Sequence, residues 1–167
     1  MGRSYGGETV VDSSVFLSIL KQESLAGPCS AFLEELKTRN KRVCVTSVII
    51  KEVVEAMDTF IKNLNEKKSY LRETDEKNYR EMWASFLTNF NNLLTENVKI
   101  LYPLKNFDGV FKKSYTRMRV GDKDKINLSL SMSNNCREFV TCDGGIYHEQ
   151  ETIKEISELS LEIILIE

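Results

Sequence analysis

Histidine is nearly missing: His148 is the single imidazole in 167 residues. Any mechanism that needs two imidazoles is excluded, and with it any zinc site built on paired histidines. Two prolines and eight glycines leave no room for a collagenous or Pro-rich segment. The four cysteines, Cys29, Cys44, Cys136 and Cys142, form no CxxC pair, so zinc spacing is absent and they read as reduced thiols packed as small hydrophobes. The longest purely apolar runs, such as 48–50 and 163–166, are far too short to span a membrane. The start has no apolar segment for secretion, and Gly6 stands where a myristoylation signal carries Ser or Thr; a cytoplasmic protein is expected. What is present is ordinary: 41% hydrophobic, 29% charged and a net charge of −2, the composition of one soluble domain over 1–167 that buries roughly two-thirds of its unfolded surface.

Short β-branched runs alternate with helical patterns, without internal repeats. Residues 9–11 read as a buried strand ending at Asp12, followed by an apolar helix over 15–20. Pro28 opens a second helix carrying Phe32, Leu33 and Leu36, before a basic turn at 37–42. A strand over 43–45 leads to a long helix capped by Thr46 or Ser47, with Ile49, Val53, Met57, Phe60, Ile61 and Leu64 on one face. Residues 65–95 hold a polar connector and a long amphipathic helix whose stripe is Tyr79, Met82, Trp83, Phe86, Leu87, Phe90, Leu93 and Leu94. A strand at 98–101, helices at 108–118 and 124–133, and strands at 139–141 and 161–166 complete the chain. This order predicts an α/β fold, a three-layer α/β/α sandwich on a mainly parallel sheet of four or five strands. Sites in such folds lie at the carboxyl ends of strands.

Four acids fall at that edge. Asp12 follows the first strand, Asp143 follows the strand at 139–141, Glu52 turns inward on the long helix, and Asp124 opens the helix before the fourth strand. Any one of them alone reads as a helix cap or a solvated acid, and a lone Asp after a strand is a cap more often than not. Brought to ~5 Å, each pair would repel by on the order of 3 kcal/mol at an effective dielectric near 20. Hard oxygen donors of this kind are the usual partners of Mg²⁺ or Mn²⁺, which would remove that repulsion. A bound divalent ion assists phosphodiester hydrolysis without His or Cys.

The segments around Val10-Val11-Asp12-Ser13-Ser14, Thr46-Ser47-Val48-Ile49-Ile50-Lys51-Glu52, Asp124-Lys125-Ile126-Asn127 and Val140-Thr141-Cys142-Asp143 resemble, in order, the four acidic motifs of PIN-domain ribonucleases, including the VapC toxin-like branch. The resemblance spans roughly residues 8–166. It implies an α/β/α sandwich and Mg²⁺- or Mn²⁺-dependent hydrolysis of RNA, often by a homodimer, with Asp12, Glu52 and Asp124 as the core metal site and Asp143 as the fourth, more variable acid. Ser13 or Ser14 and Thr141 match small hydroxyl positions that support those acids, and Asn127 is placed to hold a metal-bound water or simply to cap or face solvent. Ser129, Ser131 and Ser133 stand where many relatives carry Ala, and the 65–94 insertion exceeds compact toxin members.

Lys112, Lys113, Arg117, Arg119, Lys123 and Lys125 crowd the residues leading into Asp124. They read as a patch for an RNA backbone or as a solvated helix face; Tyr115 could stack on a base or enter the core. The segment 2–9 imitates a phosphate-binding loop but has Glu8 where Lys is required, and no GxSxG elbow occurs. Two functions therefore stand: a metal-dependent endoribonuclease, as the toxin of a toxin–antitoxin pair with an antitoxin-like protein partner, or a non-catalytic RNA-binding or assembly scaffold of the same fold.

Overall fold

A computed structural model of the chain describes residues 7–66, 72–94, 98–157 and 161–167. Strand β1 (Glu8–Val11) is followed by helices α1 (Ser13–Leu20) and α2 (Ala26–Thr38), then by β2 (Arg42–Thr46) and α3 (Ser47–Glu66). Helix α4 (Arg72–Leu93) leads to β3 (Lys99–Leu101), α5 (Phe107–Arg117) and α6 (Asp122–Ser133). The last elements are β4 (Glu138–Thr141), α7 (Gly144–Tyr147), α8 (Gln150–Ile156) and β5 (Glu162–Leu165).

The strands form one sheet in the order β3-β2-β1-β4-β5, with every neighbouring pair parallel. Successive strand residues point to opposite faces, yet Val10 and Val11 are both fully buried, as are Phe139 and Val140. Both faces are therefore covered, which is why these strands read as unbroken apolar runs. The chain builds outward from β1 through β2 to β3, then crosses to β4 and β5 on the other side. Strand order thus reverses between β1 and β4, the place where a doubly wound sheet opens a crevice at its carboxyl edge.

Helix α3 buries Ile49, Val53, Met57 and Ile61 at four-residue steps, the amphipathic stripe expected of its sequence. Helix α4 docks through Phe86 and Phe90, whose rings stack at 5.7 Å, and Phe90 meets Phe16 of α1 edge-on at the same separation. Its apolar stripe is only partly used, since Leu87 is 54% exposed. Part of the expected connector, residues 67–71, lies outside the described residues. Helix α2 starts at Ala26, ahead of Pro28; proline is tolerated there because first-turn amides have no intrahelical acceptor. Helices α7 and α8 were not expected, and four and seven residues are too few to carry a helical period.

Helix α6 is buried on all sides from Asn127 to Ser133, although its sequence alternates polar and apolar residues. Its serines resolve the conflict by bonding back to the helix: the hydroxyls of Ser129 and Ser131 donate to the carbonyls of Lys125 and Asn127 at 2.6 and 2.7 Å, and that of Ser133 to Leu130 at 3.2 Å. Each buried hydroxyl is thereby satisfied inside its own turn. The small side chains let α6 lie close among its neighbours, which brings Asp124 and Asn127 to the sheet edge.

Candidate active site

Asp12 is the residue after β1, and its backbone N–H donates to the Val140 carbonyl at 2.9 Å, so the β1–β4 ladder runs up to the acid itself. The side chain is 3% exposed. Its Oδ2 accepts from the Ser14 hydroxyl at 2.6 Å, the Thr141 hydroxyl at 2.9 Å and, more weakly, the Ser14 amide at 3.4 Å. Asp12 thus caps α1 and is also cradled from β4. Ser14 Oγ in turn accepts the Cys142 amide at 3.0 Å, and Thr141 Oγ1 accepts the Asp143 amide at 3.0 Å. With both hydroxyl protons spent on Asp12, the 3.3 Å approach of Ser14 and Thr141 is proximity rather than a third bond. Burial pushes the Asp12 carboxyl above its ordinary range, and these hydroxyl donors pull it part of the way back.

Thr46, the last residue of β2, resolves the choice of cap for α3: its hydroxyl accepts the Ile49 amide at 3.0 Å and donates to Asn127 Oδ1 at 2.6 Å. That bond turns the other end of the amide toward the acids. Asn127 Nδ2 is buried without a hydrogen-bond partner, and so is Glu52 Oε2. A buried unpaired group of this kind costs about 1–3 kcal/mol. The Glu52 carboxyl is raised by burial and then by the charge of Asp12. Lys123 opposes this from 3.7 Å, but it is 55% exposed and equally close to Glu55.

Asp124 stands in the first turn of α6. Burial, followed by the charges of Asp12, Glu52 and Asp143, lifts its carboxyl to about 6. Asp143 is exposed and caps α7 by accepting the Gly145 amide at 2.7 Å. Two of these acids lie against glycines: a Cβ on Gly121 would sit 3.2 Å from Asp124 Oδ2, and one on Gly145 3.0 Å from Asp143 Oδ1. Side chains at either position would crowd the carboxylates.

Four elements therefore bring Asp12, Glu52, Asp124 and Asp143 within electrostatic reach of one another. They are not drawn to full ligand spacing. Among the described residues, the set of three candidate ligands whose atoms lie within 4.8 Å of one another is Glu8, Cys44 and Cys136, at the opposite end of the sheet. The acid cluster nevertheless fits a hard divalent ion. It offers carboxylate oxygens, Glu52 Oε2 is an unpaired buried acceptor, and among the described residues the ion pair that offsets its repulsion comes from a shared, exposed lysine.

Beside the acids lies a cleft of about 600 Å³ lined by Arg117, Arg119, Asp124, Asp143, His148 and Thr152. The basic run divides here. Arg117 and Arg119 line the cleft, whereas Lys113 lines a separate groove with Asn106 and Ile156. Lys112 is exposed on α5. Lys125 is 13% exposed, lies 3.6 Å from Asp122 and covers the Tyr115 ring at 4.7 Å from its centroid, so both stay at the surface flank of α5 and α6. Ser13 is half-buried at the start of α1. Sequence reasoning missed Glu149, which is buried and accepts the Arg119 amide at 2.7 Å, pinning the α5–α6 link to the α7–α8 turn. It missed His148 as a cleft residue too, because a lone histidine between unrecognised helices carries no spacing signal.

A family model described as Myosuppressin matches residues 8–114. That span stops inside α5 and omits α6, β4 and β5, so it separates β1 from its partner β4 and corresponds to no folded unit of this chain. No curated relative matches the sequence. Among solved structures, VapC20 of Mycobacterium tuberculosis, described as a sarcin–ricin loop cleaving toxin, aligns with 83% of this chain and 92% of its own at 11% identity and a TM-score of 0.50. PAE2754 of Pyrobaculum aerophilum aligns over 93% and 83% at 14% identity and a TM-score of 0.45. With a wholly parallel five-stranded sheet between helical layers, this chain shares its fold with VapC20.

Proposed function

We propose that the chain is a divalent-metal-dependent endoribonuclease, with Asp12, Glu52 and Asp124 as the residues that hold Mg²⁺ or Mn²⁺ and Asp143 as the fourth acid. The observation that carries this reading is the state of Asp124: its carboxyl is raised to about 6 by burial and by three acids from other elements. Folding has gathered negative charge where, among the described residues, no buried cation balances it, an arrangement typical of sites tuned for chemistry. When bound, the ion would supply an activated water and screen charge building on a phosphoryl oxygen.

The chain's own residues define the remaining tasks. Ser14 and Thr141 hold Asp12 in one orientation through Oδ2. Thr46 aims the Asn127 amide at the acids, where its N–H helps hold the charge of Glu52 and can orient a water or a phosphate oxygen. Arg117 and Arg119 attract the RNA backbone into the cleft against the repulsion of the acids. VapC20 is described as cleaving the sarcin–ricin loop, so a structured RNA hairpin is the first substrate to test, and a toxin role with an antitoxin-like protein partner and a homodimeric state belong to the same proposal.

A second reading, a non-catalytic RNA-binding scaffold, is favoured by the failure of the carboxylates to reach ligand spacing and by the contact of Lys123 with Glu52. Incubation of the purified chain with hairpin RNA in Mn²⁺ or in excess chelator separates the two. Cleavage that needs the metal and is abolished by Asp12→Asn, with the circular dichroism spectrum retained, is the expected result. Equal cleavage in chelator would overturn the metal assignment, and salt-sensitive binding without cleavage would establish the scaffold.

A further inference from the structure

The four cysteines are separated by long stretches of sequence, yet they meet in pairs. Cys29 Sγ of α2 lies 3.4 Å from Cys142 Sγ, across 113 residues of chain. Cys44 and Cys136 meet at the far end of the sheet. The two pairs differ in access: Cys44 and Cys136 are both buried, whereas Cys142 is partly exposed with the buried Cys29 behind it. The first pair also adjoins the acids. Cys142 lies between Thr141, which bonds Asp12, and Asp143, and its own amide donates to Ser14 Oγ.

We propose that Cys29 and Cys142 form an oxidation site, closed to a disulfide by a two-electron oxidant of the peroxide class. The Cys142 sulfur attacks one peroxide oxygen, the O–O bond breaks, and Cys142 becomes a sulfenic acid as the leaving hydroxide takes up the Cys142 thiol proton and departs as water. The Cys29 sulfur then attacks the Cys142 sulfur, the S–S bond forms and the S–O bond breaks. The Cys29 proton leaves with the departing hydroxide as water. Two thiols and one peroxide thus give one disulfide and two waters.

The asymmetry of the pair suits this order. Cys142 can be reached from solvent, whereas burial and the neighbouring thiol push Cys29 up to about 12, so Cys29 stays a protonated thiol until a sulfenic acid forms beside it. The sulfurs must close from 3.4 Å to about 2.05 Å, a shift that draws α2 and the β4–α7 turn together. The bridge ties two distant parts of the chain, the case in which a cross-link most restricts the unfolded ensemble.

The test uses the full native chain and hydrogen peroxide, followed by thiol titration under denaturing conditions and peptide mapping without reductant. Expected are a fall from four free thiols to two, a single cross-link between the peptides carrying Cys29 and Cys142, and a rise in melting temperature of about 5 °C or more that dithiothreitol reverses. A C29S/C142S variant should keep both remaining thiols under the same treatment. Four thiols surviving, a bridge between Cys44 and Cys136, a sulfinic acid at Cys142 without a bridge, or thiol loss in the double variant would each overturn the assignment. Neither metal nor RNA enters this measurement, so its outcome is independent of the nuclease reading.

Discussion

Asp124→Asn offers the sharpest test of an unbalanced acid cluster, because it alters charge with little change in shape. In the unfolded chain the Asp124 carboxyl titrates near 3.8, and in the fold near 6. Between those values the native state binds the proton and the unfolded state does not, so stability falls as pH rises through this window. The cost is absent below about 3.8 and complete above about 6. Taken at face value the difference is about 3 kcal/mol; the carboxyl opens on the cleft, and solvent screening reduces this to about 1–2 kcal/mol. In chelator at pH 7.5, Asp124→Asn should therefore be more stable than the wild type by about 1–2 kcal/mol in urea denaturation, and the gain should vanish near pH 4. With saturating Mn²⁺ the order should invert, since an ion that binds only the native wild type stabilises it by mass action. A variant less stable than the wild type in chelator at pH 7.5, or a gain that persists unchanged at pH 4, would refute the charge argument.

Thr141→Val preserves shape but removes the hydroxyl that donates to Asp12 and accepts from Asp143. The Asp12 carboxyl should rise further, and half-maximal Mn²⁺ binding by calorimetry should move to higher pH; an unmoved profile would deny the hydroxyl its role. Thr46→Val deletes the cap of α3 and the anchor of Asn127 and should cost about 1–2 kcal/mol in urea denaturation, whereas a loss below 0.5 kcal/mol would contradict the capping assignment. Arg119→Ala should raise KM for RNA several-fold with little change in kcat and make the salt dependence of binding shallower by about one counterion. Lys113→Ala, in a separate groove, should do neither, and equal effects of the two would show that net charge rather than cleft position governs attraction.

Much of this architecture was legible in one dimension because both its signals are local. The strands around Val10, Val43 and Phe139 are apolar runs flanked by polar residues, and a parallel sheet covered on both faces demands such runs. The stripe of Ile49, Val53, Met57 and Ile61 marks α3 by period alone. Asp12, Glu52, Asp124 and Asp143 could be nominated because position relative to a strand end or helix start follows from that same pattern. Helix α6, expected over 124–133 and found at Asp122–Ser133, was legible as a helix but not as a buried one: its serines alternate with apolar residues, and bonds from their hydroxyls to carbonyls of the preceding turn make the full burial tolerable.

The amino-acid order by itself determined which residues bear charge, which segments must be buried and where each acid falls along its element, since these depend on composition and short-range periodicity. Only the tertiary structure decided that Thr141 and Ser14 share Asp12, that Lys113 and Arg119 face different grooves, and that Cys29 touches Cys142. Such contacts join residues about a hundred or more positions apart through the strand order β2-β1-β4. No local propensity encodes that crossing, because it is selected by the free energy of packing the whole sheet between its helices.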